Sequence, residues 1–301
     1  MRNGWPFLEQ AVTSCLGEMG RDDSLLILDN GSTDQTVDWS ESVAAADPRA
    51  RLVRTGAADL PAALNAGLAL TETPLVARMD ADDLVLPGRF EAQVAAFAAD
   101  DGLVLCGTQI RRFSGDPARS RSVSRLPTTH DEIVAALLAG RHAISHPTVM
   151  FRRDAAEEVG GYWASGVSED CDFFLRISRL GRLANLPVCG LAYRFHGGSL
   201  NAQRQIDILV GMRYAADTYT LERDRVPDLE TYRAALLRDP RERRRLRREA
   251  LGDRWYRDSQ VRLLRSPASP TGWLHLLGAA LLRADRAVGR ITQSVASAVG
   301  R

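Results

Sequence analysis

The chain has 301 residues, and its 39 basic and 38 acidic side chains leave a formal net charge of +1. With 45% apolar and 26% charged residues it has the composition of an ordinary globular protein, which excludes wholesale disorder. The charges are unevenly placed: residues 1–204 hold 20 Arg and 26 Asp plus Glu (−6), and residues 205–301 hold 19 Arg and 12 Asp plus Glu (+7). Every cation is arginine, since the chain has no lysine. This split predicts an acidic main domain over 1–204 and an Arg-rich helical extension over 205–301.

The four cysteines, Cys15, Cys106, Cys171 and Cys189, form no CxxC pair. They read as free thiols of a reducing compartment, which suggests the cytoplasm. No signal peptide opens the chain, and the longest strongly apolar run, Trp273–Leu282, is too short to span a bilayer.

In chain order, the first strand signal is Leu25–Asp29. Asn30-Gly31 follows as a turn, and Ser32 with Gln35 reads as a capping box opening a helix to about Ala46. Arg51–Arg54 is a short strand and Pro61–Leu70 a helix. Leu75–Met79 is a strand running into Asp80-Ala81-Asp82-Asp83, after which Pro87 opens a helix to about Ala99. Leu103–Ile110 is a strand, and 114–125 a polar loop. His130–Ala139 is a helix, Thr148–Arg152 a strand, Glu169–Leu180 a helix and Leu191–Phe195 a last strand. Beyond that the pattern is helical over about 203–222, 228–238, 241–258 and 270–288. The alternation predicts an α/β fold with a mostly parallel sheet and helices on both faces.

Three places hold residues suited to chemistry. Asp80, Asp82 and Asp83 crowd three carboxylates at the carboxyl end of a strand, the edge where open α/β sheets bind ligands. They fit a hard divalent cation with oxygen ligands, or an acidic turn capping the next helix. Asp29 ends a strand before a Gly turn, where it can accept hydrogen bonds from a nucleobase or ribose; a plain strand–turn–helix joint is the simpler reading. Ser168-Glu169-Asp170 opens a helix, where carboxylates either cap the helix dipole or serve as a general base. Arg78 suits a phosphate contact or a salt bridge. His146, ahead of Pro147, reads as a structural residue orienting a loop.

Together these segments resemble a known family. LLILDNGSTDQT (25–36), LPAALNAGLAL (60–70), ARMDADD (77–83), PGRFEAQV (87–94), ISHPTVMFRR (144–153), VGGYW (159–163), SEDCDFFLRISRLGRLANLP (168–187) and YRFHGGS (193–199) occur in the order seen in inverting glycosyltransferases of family 2. Their nucleotide-binding α/β fold is called GT-A. The resemblance covers roughly residues 3–200.

That resemblance implies roles. Asp29 and Asn30 would contact the base and ribose of a nucleotide-sugar; the family usually has Asp-Asp here. Asp80 and Asp82 form the DxD pair, with Asp82 the direct ligand of Mn2+ or Mg2+ and Asp80 shared between metal and sugar. His196 would add a metal or diphosphate contact. Asp170 would be the catalytic base, supported by Glu169, and Gly161 with Tyr162 would lie beside donor sugar and acceptor. Such a base contributes about 10²–10⁴-fold. The donor expected first is a UDP-sugar, and the acceptor a carbohydrate or lipid-linked molecule in cell-surface polysaccharide or glycolipid synthesis. A nucleotidyltransferase with a related core, or an inactive nucleotide-sugar-binding relative, are the alternatives.

The family normally begins with a buried mid-sheet strand, and here Arg2-Asn3-Gly4 matches only its end. The expectation is an upstream start that supplies it. The run Arg241–Arg248 lacks the interleaved aromatics of a nucleic-acid binder, and no nucleic acid is expected. Trp273, Leu277, Ala280, Leu281, Ala284 and Val288 fall near one helical face. That spacing fits either core packing or peripheral contact with the inner face of the cell membrane.

Overall fold

The computed structural model describes residues 1–56, 59–119, 123–163, 168–195, 205–221 and 225–283. The chain divides into two compact units: Met1–Ile110 with Arg125–Tyr193, and Arg111–Ser124 with Arg194–Arg301.

The first unit opens with a helix, α1 (Leu8–Glu18), and a β–α–β unit. Strand β1 (Leu25–Asp29) pairs in parallel with β2 (Ala50–Arg54), Asp29 lying opposite Arg54. Helix α2 (Thr36–Ala46) connects them, and α3 (Leu60–Ala69) follows β2. Leu8 and Val12 of α1 bury against Ile27, with Trp39, Val43 and Leu52 around them. The capping box at Ser32 and Gln35 does not form. Gln35 is itself the N-cap, without a side-chain bond, and the Asp34 carboxylate accepts from the Thr36 N–H at 3.0 Å. Ser32 instead accepts from the Asn3 N–H at 2.8 Å. An Asp two residues ahead of the donor closes its own local turn, which outcompetes the longer Ser–Gln reach.

The second sheet has the order β3-β6-β5-β7-β4: β3 is Leu75–Ala77, β4 Leu84–Val85, β5 Leu103–Phe113, β6 Met150–Arg152 and β7 Arg182–Arg194. It is mixed. Strand β6 runs antiparallel to both β3 and β5, and β4 antiparallel to β7. The Arg182 N–H bonds the Gly102 carbonyl and the Phe195 N–H the Phe113 carbonyl, so β5 and β7 run the same way. The alternation of apolar segments reports burial and carries no strand direction, which is why it predicted more parallel pairing. Residues Leu103 to Ile110 of β5 are buried without a break, as befits an inner strand. Among the described residues no strand joins β1 to β3. Met1 runs along that edge of β1: its ammonium donates to the Leu28 carbonyl and its carbonyl accepts from the Asn30 N–H, both at 2.7 Å.

Helices α4 (Arg89–Ala99), α5 (His130–Leu138), α6 (Arg153–Glu158) and α7 (Glu169–Ile177) complete this unit. Arg89 is fully buried. It donates to the Arg78 carbonyl at 2.9 Å and to the Gln93 side chain at 3.1 Å, and Gln93 in turn donates to the Thr148 carbonyl at 2.8 Å. This polar chain ties α4 to the ends of β3 and β6.

The second unit is mainly helical: α8 (Gln205–Thr218), α9 (Leu229–Arg238), α10 (Pro240–Arg265) and α11 (Pro270–Leu282). Leu209, Val210, Leu246 and Ala250 form its core, with Ile206, Leu229, Tyr232 and Leu236 against them. Residues of the predicted loop belong here. Arg265 donates to the Ser114 hydroxyl at 3.1 Å, and Arg112, at the end of β5 just before that loop, donates to the Tyr256 hydroxyl at 3.3 Å. No described helix is long and apolar enough to cross a membrane.

Candidate active site

Strand β3 ends at Ala77, and the chain passes through Arg78 and Met79 into the acidic run before β4. Oxygens of Asp80, Asp82 and Asp83 lie within 4.8 Å of one another. Carboxylates this close repel unless a cation joins them. Arg78 meets part of that need, its Nη2 lying 2.5 Å from Asp80 Oδ1. Desolvation by the groups packed around it raises the Asp80 carboxyl above its ordinary range, although the side chain keeps 36% of its surface exposed; Arg78 opposes the shift and Asp82 adds to it. The Arg78 backbone is fixed on both sides, its N–H by the Val149 carbonyl and its own carbonyl by Arg89. Its Nε and Nη1 are buried without a hydrogen-bond partner. Three hard oxygen donors beside a guanidinium with unused N–H groups fit a divalent cation and the diphosphate it would accompany.

The second part of the site comes from the loop before α7 and its first turn. Glu169 is 13% exposed, and its carboxylate lies 3.9 Å from His146 Nδ1. Burial first, and Asp170 second, raise the Glu169 carboxyl to about 7. Arg78 and Asp80 also act on it, which places α7 and the acidic run at one site. Asp170 Oδ1 accepts from the Cys171 N–H at 2.8 Å. His146 Nε2 shares a 3.0 Å hydrogen bond with the buried Tyr162 hydroxyl. Burial, with Arg78 adding to it, holds His146 well below its ordinary range, so it is neutral. Tyr162 stacks on Phe173 at 4.4 Å.

Gly161 and Tyr162 are held by Asn65 of α3. The Asn65 amide donates to the Tyr162 carbonyl at 2.6 Å, and its oxygen accepts from the Tyr162 N–H at 2.7 Å. Gly161 has φ +65°, and a Cβ there would stand 2.4 Å from that oxygen. Only glycine suits this approach.

The third part is a cavity of about 450 Å³ at the end of β1, lined by Asp29, Gly31, Ser32, Asp34, Arg54 and Gly56 among others. Asp29 is 3% exposed and accepts from the Gly31 and Ser32 N–H groups at 3.2–3.3 Å. The Asn30 side chain accepts from Thr55 at 3.3 Å. Asp29 and Asp80 both act on the Met1 ammonium, so the cavity and the acidic run share one edge of the unit.

The structure thus brings together Arg78, Asp80, Asp82, Glu169, Asp170 and Gly161, with Asp29 and Asn30 alongside. His196 lies outside the described residues. Neither Asn65, inside the mostly apolar α3, nor Arg89, the first residue of α4, carries a local sign of its distant partner. His142, which the sequence offers as a surface or packing residue, has its ring within 4.8 Å of the ligand atoms of Asp170 and Cys171.

The acidic run after β3, the cavity at the end of β1 and the half-buried carboxylate pair of α7 sit on a fold of the GT-A class. The family model for glycosyl transferase family 2 matches residues 1–160, and the chain belongs to that family. The amylovoran biosynthesis glycosyltransferase AmsE of Erwinia amylovora is 34% identical over 143 residues, 47% of this chain and 53% of that protein. This chain therefore spans about half the length of that relative. The O-antigen biosynthesis glycosyltransferase WbnJ of Escherichia coli is 29% identical over 201 residues, 64% of this chain and 76% of that protein. Among solved structures, S. aureus TarS 1–349 in complex with UDP-GlcNAc has a TM-score of 0.59 at 15% identity, covering 100% of this chain and 90% of that one. The mannosyltransferase PcManGT from Pyrobaculum calidifontis, in complex with GDP-Man and Mn2+, has a TM-score of 0.58 at 18% identity, covering 100% and 86%. At these identities the structural likeness establishes the fold.

Proposed function

We propose that the protein transfers a sugar from a nucleoside-diphosphate sugar to an acceptor hydroxyl, with inversion, in cell-surface polysaccharide or glycolipid synthesis. The observation that carries this reading is Arg78. It is bound to Asp80, keeps two buried N–H groups unused, and acts electrostatically on Glu169. It therefore acts on both the acidic run, which would hold the cation, and the α7 carboxylates, which would take the proton.

Asp82 and Asp80, with Asp83 beside them, would hold Mn2+ or Mg2+. When bound, such a cation neutralises negative charge on the departing diphosphate. Arg78 would donate to the same phosphates. Asp29 would meet the nucleoside in the 450 Å³ cavity, and Asn30 beside it would add a contact to base or ribose. A UDP-sugar is the first donor to try; the two solved structures of like fold hold UDP-GlcNAc and GDP-Man. Asp170 would take the proton of the attacking hydroxyl, and Glu169 would tune its charge and orient the acceptor. One base and one displacement invert the anomeric centre. Gly161 would leave room beside the donor sugar. His196 would contact metal or diphosphate. The acceptor is a carbohydrate or lipid-linked molecule, reached from the cytoplasmic side of the membrane.

The test is turnover of a nucleotide-sugar panel, with acceptor extracts, with and without Mn2+ or Mg2+. Metal-dependent release of nucleoside diphosphate, lost in Asp82→Ala and Asp170→Asn, supports the proposal. Donor binding that never turns over in the full chain overturns it in favour of a binding role.

A further inference from the structure

The second unit carries a surface that the donor chemistry does not use. Helix α11, Pro270–Leu282, has no charged residue. Its Leu276 and Ala279 are buried, but Leu274, Leu277 and Leu281 are 67%, 59% and 84% exposed. Their spacing of three and four residues puts them on one face. The helix spacing read from the sequence had instead gathered Trp273 and Ala280 onto that face. In the structure these two are half-buried, and the Trp273 ring N–H is engaged by the Pro267 carbonyl at 2.9 Å.

The neighbouring helix supplies charge. Helix α10 holds ten Arg against four acidic residues. Arg244, Arg247, Arg248, Arg254 and Arg262, with Leu251, are exposed at helical spacing along one stripe. The two helices are locked together closely. A Cβ on Gly278 would stand 2.1 Å from the Trp255 ring, and one on Gly252 would stand 2.7 Å from Arg283. Arg283 is itself buried and paired with Asp253 at 3.1 Å. Gly278 lies between Leu274 and Leu281 and rests on Trp255, the residue after Arg254. That contact sets the exposed leucines beside the arginine stripe on one rigid helical pair.

We infer that this face is a docking surface for an anionic lipid bilayer. Arginines would lie at the headgroup phosphates and the three leucines in the acyl boundary, the usual arrangement of an interfacial helix. Charge complementarity selects this occupant: a second copy would bring its own arginine stripe against the first. The described part of α11, 13 residues and about 20 Å, is short of the roughly 30 Å hydrocarbon core and suits a helix lying in the membrane interface. The surface belongs to the second unit, and the inference stands apart from the donor reading.

The experiment is co-sedimentation of the full chain with phosphatidylcholine vesicles, with and without phosphatidylglycerol. Binding is expected only with phosphatidylglycerol, weakening about tenfold or more at high salt. Leu274→Ser with Leu277→Ser and Leu281→Ser should lower partitioning about tenfold, and Arg247→Gln with Arg248→Gln about tenfold as well. All five side chains are exposed, so unchanged circular dichroism and melting separate lost docking from lost folding. Equal partitioning to both vesicle types, or none to either, overturns the inference. So does a concentration-dependent dimer in light scattering that the triple serine variant abolishes.

Discussion

Arg78 Nη2 lies 2.5 Å from Asp80 Oδ1, two residues along the chain and at the rim of the acidic run. The arginine side chain is 9% exposed and the aspartate 36%, so the pair links the protein interior to the mouth of the site. Charge compensation within the acidic run is therefore already half built.

Arg78→Gln tests that link. Removing one positive charge beside three carboxylates strengthens their hold on a divalent cation and weakens the hold on a diphosphate. The half-saturating Mn2+ concentration should fall and the donor KM should rise, each by about tenfold, the size of one charge-assisted hydrogen bond. Arg78→Lys should keep the metal response near wild type while recovering only part of the donor affinity. Turnover titrations in metal and in donor read both.

Glu169 gives a pH signature. Its carboxyl is raised from about 4.5 to about 7 by burial first and Asp170 second. Between those values the folded state holds a proton that the unfolded chain has released, so stability falls as pH rises through that window. Glu169→Gln should flatten the slope and raise stability above pH 7 by at most about 3 kcal/mol. The acidic limb of the kcat/KM profile should shift in the same variant. Identical melting-versus-pH curves for the two proteins would remove this account.

Tyr162→Phe leaves His146 Nε2 buried without its 3.0 Å partner. The expected cost is about 1–3 kcal/mol in urea unfolding. A double variant, His146→Leu with Tyr162→Phe, should recover part of it, because an apolar pair needs no hydrogen bond. Losses that simply add would contradict the coupling.

Gly161→Ala meets two obstacles: a positive φ and the Asn65 oxygen 2.4 Å from the new Cβ. Destabilisation of about 2 kcal/mol or more is expected. Donor KM should rise with it, since the loop that carries Tyr162 is displaced. Calorimetry and donor titration check the two effects separately.

Much of this was legible in the residues. The acidic run at a strand end, the β1 turn and the α7 carboxylates are local patterns, and the structure brings them to one edge. What stayed hidden depends on distant partners. Strand β7 begins at Arg182, nine residues before the apolar segment Leu191–Phe195 that signals it. Strand β4 pairs only with Leu191 and Ala192, so Pro187 sits where β7 has no ladder on that side. Strand β4 itself is two residues long, too short to leave a period. The Ser32–Gln35 capping signal was outcompeted by Asp34, a choice made by turn geometry and not by residue type.

Asn65 and Tyr162 are 97 residues apart, yet the Asn65 amide bonds both backbone groups of Tyr162 as a neighbouring strand would. This has a practical meaning for dissecting the protein. A fragment ending at residue 160, where the family match stops, would keep the whole acidic run and lose the residue that Asn65 clasps, along with both α7 carboxylates. The smallest portion worth expressing alone must reach past β7. A fragment library cut at family borders would yield a piece lacking both the proposed base and the residue that Asn65 holds, so its inactivity would say nothing of the full chain.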